Sequence, residues 1–229
     1  MKRSIVISIL LLTCPAVCWS LPDTYSAGPT WGTIVDAQTN QPISGALVLA
    51  MWDLQGGMET SQIATLRIQE TLTNADGQFL MPAWGPMKRP SEGFLDTYDP
   101  ALFVFKAGFL PERLLNNKVL SIGKRINLEV HDSTWNGKAI GLKKYSGPLR
   151  PYSQRVGFIV GSLIHVFESE DCSWKTIPKT IRALEDESRR EVSAGIDPSF
   201  TASSAFLMTR KSCAPFDEFT KAIQESDSK

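Results

Sequence analysis

Residues 32–48 read Gly-Thr-Ile-Val-Asp-Ala-Gln-Thr-Asn-Gln-Pro-Ile-Ser-Gly-Ala-Leu-Val, and this stretch decides the fold class. It begins with β-branched residues, continues with turn-forming residues at 40–45, and ends in an apolar run that starts at Ala46. The pattern predicts a strand, a tight turn and a second strand. A further turn sequence, Asn74-Ala-Asp-Gly77, also has strand residues on both sides. We therefore expect this part of the chain to be a β-domain.

Apolar and alternating runs predict six strands, at 31–36, 46–54, 62–73, 78–81, 101–107 and 126–130. The fifth is almost continuously apolar, and we expect Phe103 and Phe105 to face one side of the sheet. Leu102 and Val104 then face the other side. Residues 82–100 are rich in proline and glycine, and we interpret them as a long irregular loop.

The β-region also carries a series of short motifs, namely Gly32, Val35-Asp36, Pro42, Gly45-Ala46, Asp76-Gly77 with Phe79, and Ala107-Gly108-Phe109. In this order they resemble the carboxypeptidase regulatory-like domain, a family with a transthyretin-like fold. The resemblance covers residues 30–131 and implies an antiparallel β-sandwich there. Because the family is a fold module that hosts many roles, the resemblance implies an architecture and not an activity.

The composition changes after residue 131. Residues 132–152 are polar and glycine-rich, and we interpret them as a linker. Residues 153–229 are predicted to be helical, because apolar residues recur there at helical spacing. They form three groups: Val156, Ile159, Val160, Leu163 and Phe167; Ile177, Ile181 and Leu184; and Phe216, Phe219 and Ile223. The predicted fold class is mainly β with a helical C-terminal region: a transthyretin-like antiparallel β-sandwich followed by about three α-helices.

Residues 1–20 have the composition of a signal peptide. Lys2 and Arg3 form a positive segment, and Ile5–Thr13 is an apolar core. The apolar run is shorter than the roughly 20 residues that span a bilayer, so cleavage and export are expected. The protein is then periplasmic or secreted, and residues 21–29 form a flexible leader.

Cys14 raises the alternative that the exported protein is attached to a membrane by a lipid. It lies where a lipoprotein cysteine would lie, although Thr13 precedes it instead of a smaller residue, so a lipid anchor through Cys14 is the alternative. No transmembrane segment is expected after the signal.

The charge is balanced, with 24 basic and 24 acidic residues, and no basic stripe indicates nucleic-acid binding.

Two cysteines, Cys172 and Cys213, lie outside the signal segment. An even pair in an oxidising compartment predicts a disulfide, which would hold together a helical region with a small core of its own. A metal site would need more ligands than these two thiols, and no histidine is near either of them in sequence.

Motifs of catalytic and metal chemistry are missing from the sequence. It has two histidines, no His-Glu-x-x-His motif, no nucleophile elbow and no phosphate-binding loop. We therefore assign no catalytic residue, cofactor or metal ligand. His131 is expected at a surface or turn, and His165 is expected to be a partly buried helix residue. The sequence Asn74–Gly77 suits a turn better than a calcium loop, which needs more oxygen ligands.

Tryptophan residues supply the candidate binding surface. Trp31 and Trp52 lie on predicted strands and are expected to pack in the core. Trp84 lies in the long loop with Phe94 and Tyr98 nearby, and these three aromatic side chains are the predicted contact surface.

These observations favour a non-catalytic, exported envelope protein that serves as a binding or structural module for a partner protein or a glycan. The alternative is an enzyme whose pocket is assembled from scattered Asp, Glu, Lys and Tyr residues. A deep pocket with several carboxylates of perturbed pKa would favour the enzyme. A shallow aromatic patch near residues 82–100 would favour the binding module.

Overall fold

A computed structural model describes residues 24–57, 61–96, 98–117, 121–123, 128–198 and Cys213. The predicted signal segment 1–20 lies outside these residues. So does the third predicted helix, near Phe216.

The described residues contain twelve strands, three α-helices and one 3-10 helix. The strands are β1 (Thr24–Ala27), β2 (Thr30–Asp36), β3 (Leu47–Gly56), β4 (Ser61–Leu72), β5 (Gln78–Met81), β6 (Trp84–Lys88), β7 (Phe94–Leu95), β8 (Ala101–Phe105), β9 (Glu112–Leu114), β10 (Ser121–Gly123), β11 (Leu128–Val130) and β12 (Lys138–Leu142). The helices are α1 (Leu149–Ser162), α2 (Ile164–Phe167), the 3-10 helix (Ser173–Thr176) and α3 (Pro178–Ser193).

The strands form three hydrogen-bonded sheets. The largest has the order β4-β3-β8-β9, with β7 also paired to β3. A three-stranded sheet has the order β12-β2-β5, and a four-stranded sheet has the order β10-β11-β1-β6. Most pairs are antiparallel, but β12 pairs with β2 and β11 pairs with β1 in parallel. These parallel pairs add to the predicted antiparallel framework.

Strands β3 and β8 are buried on both faces, which explains their nearly continuous apolar sequences. Phe103 and Phe105 face the helices, while Leu102 and Val104 face the other strands. The two pairs therefore lie on opposite sides of the sheet, as predicted. The helix-facing core also contains Leu47, Leu49, Met51, Tyr152, Val156, Trp174, Ile177, Ile181 and Leu184. The core between the sheets contains Ile34, Val48, Ala50, Trp52, Phe79, Met81, Ile140 and Leu142. The central sheet is therefore the middle of three layers.

A carboxylate from the sheet caps helix α3. The backbone N–H of Lys179 donates to Glu70 Oε1 at 2.8 Å, and that of Thr180 donates to Glu70 Oε2 at 2.7 Å. The Thr180 hydroxyl donates to the same oxygen at 2.7 Å. Because Glu70 lies on β4 and its side chain is buried, this contact joins the helical region to the sheet.

The predicted disulfide is present. Cys172 and Cys213 are bonded, with their Cα atoms 5.7 Å apart, and they lie 41 positions apart in sequence. Cys172 directly precedes the 3-10 helix and adopts a left-handed conformation, with φ of 59°. The bond therefore joins the start of the third helical segment to a point beyond α3.

Three element predictions need correction. The leader at 21–29 contains β1, where Tyr25 is buried and the strand pairs with β6 and β11. The linker at 132–152 contains β12, and α1 begins at Leu149 instead of near Ser153. The loop at 82–100 contains β6 and β7. In each case a partner strand distant in sequence supplies the hydrogen bonds, which local residue patterns do not reveal.

The predicted fold class, mainly β with a helical C-terminal region, is confirmed. Among the residues that the structure describes, no helix has both the length and the apolar character needed to cross a membrane.

Candidate binding groove

The predicted aromatic surface does not form as expected, because Trp84 belongs to the core. Its side chain is 7 % exposed, and its ring meets the ring of Trp52 edge-on, with the centroids 5.3 Å apart. Phe94 and Tyr98 are 39 % and 53 % exposed. Trp52 is buried, as predicted. Only two of the three predicted contact residues therefore reach the surface.

Trp31, which we expected in the core, is 48 % exposed. Side chains on a strand alternate between two faces, and the neighbouring residue Gly32 occupies the inward position. A Cβ atom at Gly32 would lie 2.9 Å from the Lys138 carbonyl oxygen and 3.0 Å from the Phe79 ring. Only glycine fits this inward position without a shift of its neighbours. Since position 32 faces inward, the adjacent residue Trp31 faces outward.

A groove of about 570 Å³ lies beside Trp31. Its lining comes from β2, β4, β5 and the turn before β5: Trp31, Gly32, Thr33, Thr71, Leu72, Asn74, Gln78, Phe79 and Leu80. Trp31 is paired across β2 and β5 with Leu80, which is 64 % exposed. Thr33 is paired in the same way with Gln78. The volume falls within the usual range for ligand pockets, about 300–1,000 Å³.

The position of Trp31 is set by the turn before β12. Its backbone N–H donates to Asn136 Oδ1 at 3.0 Å, and its carbonyl accepts from the Gly137 N–H at 3.0 Å. Gly137 has φ of 74°, and a Cβ atom there would lie 2.9 Å from the Trp31 ring. The ring therefore packs against backbone on one side, which reduces the conformational entropy that it would lose on binding a ligand.

The turn at the other end of the groove is stabilised by Asn74. Its side-chain oxygen accepts from the backbone N–H groups of Asp76 at 3.0 Å and Gln78 at 2.8 Å. Gly77 has φ of 70°, and a Cβ atom there would lie 2.5 Å from the Ile34 carbonyl oxygen. This geometry confirms the predicted turn. Within the described residues, no group of three or more His, Cys, Asp or Glu side chains is arranged to hold a metal ion.

His131 is buried and does not lie at the surface as expected. Its Nε2 lies 2.8 Å from Glu129 Oε1, and its ring meets Tyr25 edge-on with the centroids 5.8 Å apart. The cause is the pairing of β11 with β1, which brings β1 over the histidine. His165 is half-buried on α2, as predicted.

Two buried carboxyl groups, Asp53 and Asp99, form a cluster that sequence reasoning missed. The Asp53 backbone N–H donates to Asp99 Oδ2 at 2.8 Å, and the Thr65 hydroxyl donates to Asp53 Oδ1 at 2.8 Å. Burial raises the pKa of Asp53 to about 6, against the opposing effects of Thr65 and Arg113. Burial, with the neighbouring charge of Asp53, raises the pKa of Asp99 to about 8.

Neither Asp53 nor Asp99 lines the groove at Trp31 or either of two smaller cavities. One of these, of about 250 Å³, lies between β9 and α1 and includes Arg113, Arg155 and the exposed Phe158. Another, of about 190 Å³, lies between the end of the central sheet and α3. The groove at Trp31 is larger than either.

No protein-family model matches the chain, and no curated protein matches it. The resemblance to the carboxypeptidase regulatory-like domain therefore stays a prediction. Among solved structures, a Streptococcal ancillary pilin is 15% identical over 56% of this chain and 31% of its own, with a TM-score of 0.27. The 3-chlorocatechol 1,2-dioxygenase from Rhodococcus opacus 1CP is 17% identical over 54% of this chain and 61% of its own, with a TM-score of 0.29. The group B streptococcus pilus 2b backbone protein is 13% identical over 55% of this chain and 43% of its own, with a TM-score of 0.25. These likenesses are too low to support an argument about function.

Proposed function

We propose that the protein is a non-catalytic, exported binding module, and that it holds its ligand, a partner protein or a glycan, in the groove at Trp31. The observation that carries this proposal is the exposed tryptophan, held in one place by Asn136 and Gly137 beside a groove of about 570 Å³. An immobilised aromatic face next to a groove is a common basis of recognition, because little freedom is lost on binding.

Phe94 and Tyr98 remain a second exposed aromatic pair, and they support the proposal less strongly. Neither residue lines the groove at Trp31 or the two smaller cavities beside α1 and α3. Trp84, which was expected to complete that surface, faces the core. The Trp31 groove is therefore the better candidate.

The enzyme alternative rests on Asp53 and Asp99. Their raised pKa values meet one criterion of a catalytic pair. Their position does not meet the other, since both side chains are buried, neither lines the groove at Trp31, and Asp99 accepts a backbone hydrogen bond from Asp53. We interpret them as a structural pair, which favours binding over catalysis.

The test compares Trp31→Ala with Tyr98→Ala in the full-length exported protein. Each variant is assayed for binding to a glycan array and for cross-linking to periplasmic proteins. We expect Trp31→Ala to weaken binding at least tenfold and Tyr98→Ala to leave it unchanged. The free energy of unfolding should change by less than about 1 kcal/mol in both, because each side chain is about half exposed.

Two outcomes would contradict the proposal. Binding that Trp31→Ala leaves intact would place the ligand elsewhere. Turnover of a substrate that disappears in Asp99→Asn, at unchanged stability, would favour the enzyme.

A further inference from the structure

The groove at Trp31 has no charged lining residue. Of its nine lining residues, one is glycine and the others carry aromatic, aliphatic, hydroxyl or amide side chains. A phosphate, a sulfate, a uronic acid or a basic peptide would lose hydration there without gaining an ion pair. The lining therefore favours a ligand that is itself neutral.

The groove also presents an apolar region and a polar region on one face of the sheet. The first is the cross-strand pair Trp31–Leu80, and the second is the pair Thr33–Gln78. Residues two apart on a strand are separated by about 7 Å and face the same side. The ring of Trp31 thus lies next to the hydroxyl of Thr33 and the amide of Gln78 on the same face of the sheet.

The side chains of Thr33 and Gln78 can form hydrogen bonds with a ligand. The amide of Gln78 is oriented by Asn74, whose Nδ2 donates to Gln78 Oε1 at 3.3 Å. Within the described part of the chain, neither the Gln78 Nε2 nor the Thr33 hydroxyl makes a side-chain hydrogen bond of its own. One donor and one donor–acceptor group are therefore available beside the ring of Trp31.

From these features we infer that the groove binds a neutral oligosaccharide, with one sugar ring stacked on Trp31 and the hydroxyls of an adjacent ring bonded to Thr33 and Gln78. This inference rests on the binding function proposed above. A sugar ring has an apolar face and a rim of hydroxyls, which match the two regions of the groove. Neutral sugars need no counter-charge.

A partner protein is the competing occupant, and its binding would differ. Strand β5 is the edge of its sheet, so a protein strand would add to it through main-chain hydrogen bonds. Such binding would depend on the backbone of β5 as well as on the ring of Trp31, and much less on the side-chain amide of Gln78. The two occupants therefore predict different responses to substitution.

The experiment uses the full exported chain and an array of neutral and acidic oligosaccharides of two to six residues. The best neutral binder is then measured by isothermal titration. We expect Trp31→Ala to weaken its binding at least tenfold, Trp31→Phe less, and Gln78→Ala about three- to tenfold. Tyr98→Ala, on a separate surface, should match the wild type. Affinity should stay within twofold between roughly 50 mM and 500 mM NaCl, because no ion pair is involved.

Three outcomes would overturn the inference. Preference for acidic saccharides, with affinity falling steeply in salt, would exclude a neutral ligand. Failure of every saccharide to bind, together with a protein cross-link that Trp31→Ala removes, would leave the binding function intact and replace the saccharide by a protein. Saccharide binding that neither Trp31→Ala nor Gln78→Ala weakens would exclude this groove, and the proposed function with it.

Discussion

At the scale of single residues, the most unusual environment is that of Asp53 and Asp99. A buried carboxylate is costly unless it is paired with a cation or is neutral. Here each is hydrogen-bonded, but burial favours the protonated form of both, and the charge of Asp53 adds to this effect at Asp99. The pair therefore links the stability of the fold to pH.

We expect the free energy of unfolding to fall as the pH rises from about 4 to about 8. In the unfolded chain both groups have a pKa near 3.9, whereas in the folded protein they titrate at about 6 and about 8. The folded state therefore binds more protons across this range, and each group contributes at most about 1.4 kcal/mol per pH unit. Asp99→Asn should remove the part of the fall between pH 6 and 8. Chemical denaturation at several pH values measures this.

The matched control is Asp76→Asn, which changes an exposed carboxylate in the turn before β5. It should keep the wild-type pH profile. A wild-type profile that is flat or rises between pH 5 and 8 would show that the pair is not protonated in the folded protein.

At the scale of elements, the start of α3 depends on a residue from another element. The residue before the helix, Ile177, makes no side-chain cap, and no acidic residue occupies the first turn. Glu70 on β4 accepts three hydrogen bonds there instead. The helix thus obtains its cap only when it is docked on the sheet.

Glu70→Ala should lower the free energy of unfolding by about 1–2 kcal/mol, because it leaves the N–H of Lys179 and the N–H and hydroxyl of the buried Thr180 without their acceptor. Asp186→Asn is the control, since it changes an exposed ion pair on the same helix and should cost less than about 1 kcal/mol. Chemical denaturation of both variants gives the comparison. Equal losses would mean that the cap contributes nothing beyond surface charge.

At the scale of the whole molecule, three layers share the central sheet, and the disulfide lies in the helical layer. A cross-link mainly reduces the conformational entropy of the unfolded chain. For a loop of 41 residues this effect is about 4 kcal/mol. Its loss should therefore act first on the helical layer.

We expect Cys172→Ser/Cys213→Ser to increase amide exchange in α3 more than in β2 and β5. Hydrogen exchange with mass spectrometry, in oxidised wild type and in the double variant, measures the difference. The control is wild type treated with reductant, which should match the variant. Equal increases in α3 and in β2 would mean that the layers unfold as one unit.

Export is the other prediction for the whole molecule. If residues 1–20 are a signal peptide, the mature chain should begin near Trp19 or Leu21. N-terminal sequencing of protein from the periplasm or medium tests this. A chain that still begins at Met1 would contradict export, and a lipid on Cys14 would select the anchored alternative.

The sequence by itself determined the disulfide and those elements whose pattern is local. Strand β5 and its turn follow from Asn74, Gly77 and the alternation after them, and the two faces of β8 follow from its period of two. Helix α3 begins at Pro178, whose ring suits the first turn. These features depend on neighbouring residues, so they are visible in a linear pattern.

Only the tertiary structure decided which aromatic side chains face solvent and which carboxyl groups meet. Trp31 is exposed because Gly32 must face Phe79 and Lys138, which are distant in sequence. Trp84 is buried because β6 pairs with β1 and its ring reaches Trp52. In each case the burial of a side chain is set by strands that pair across long separations, and composition and spacing do not encode that pairing.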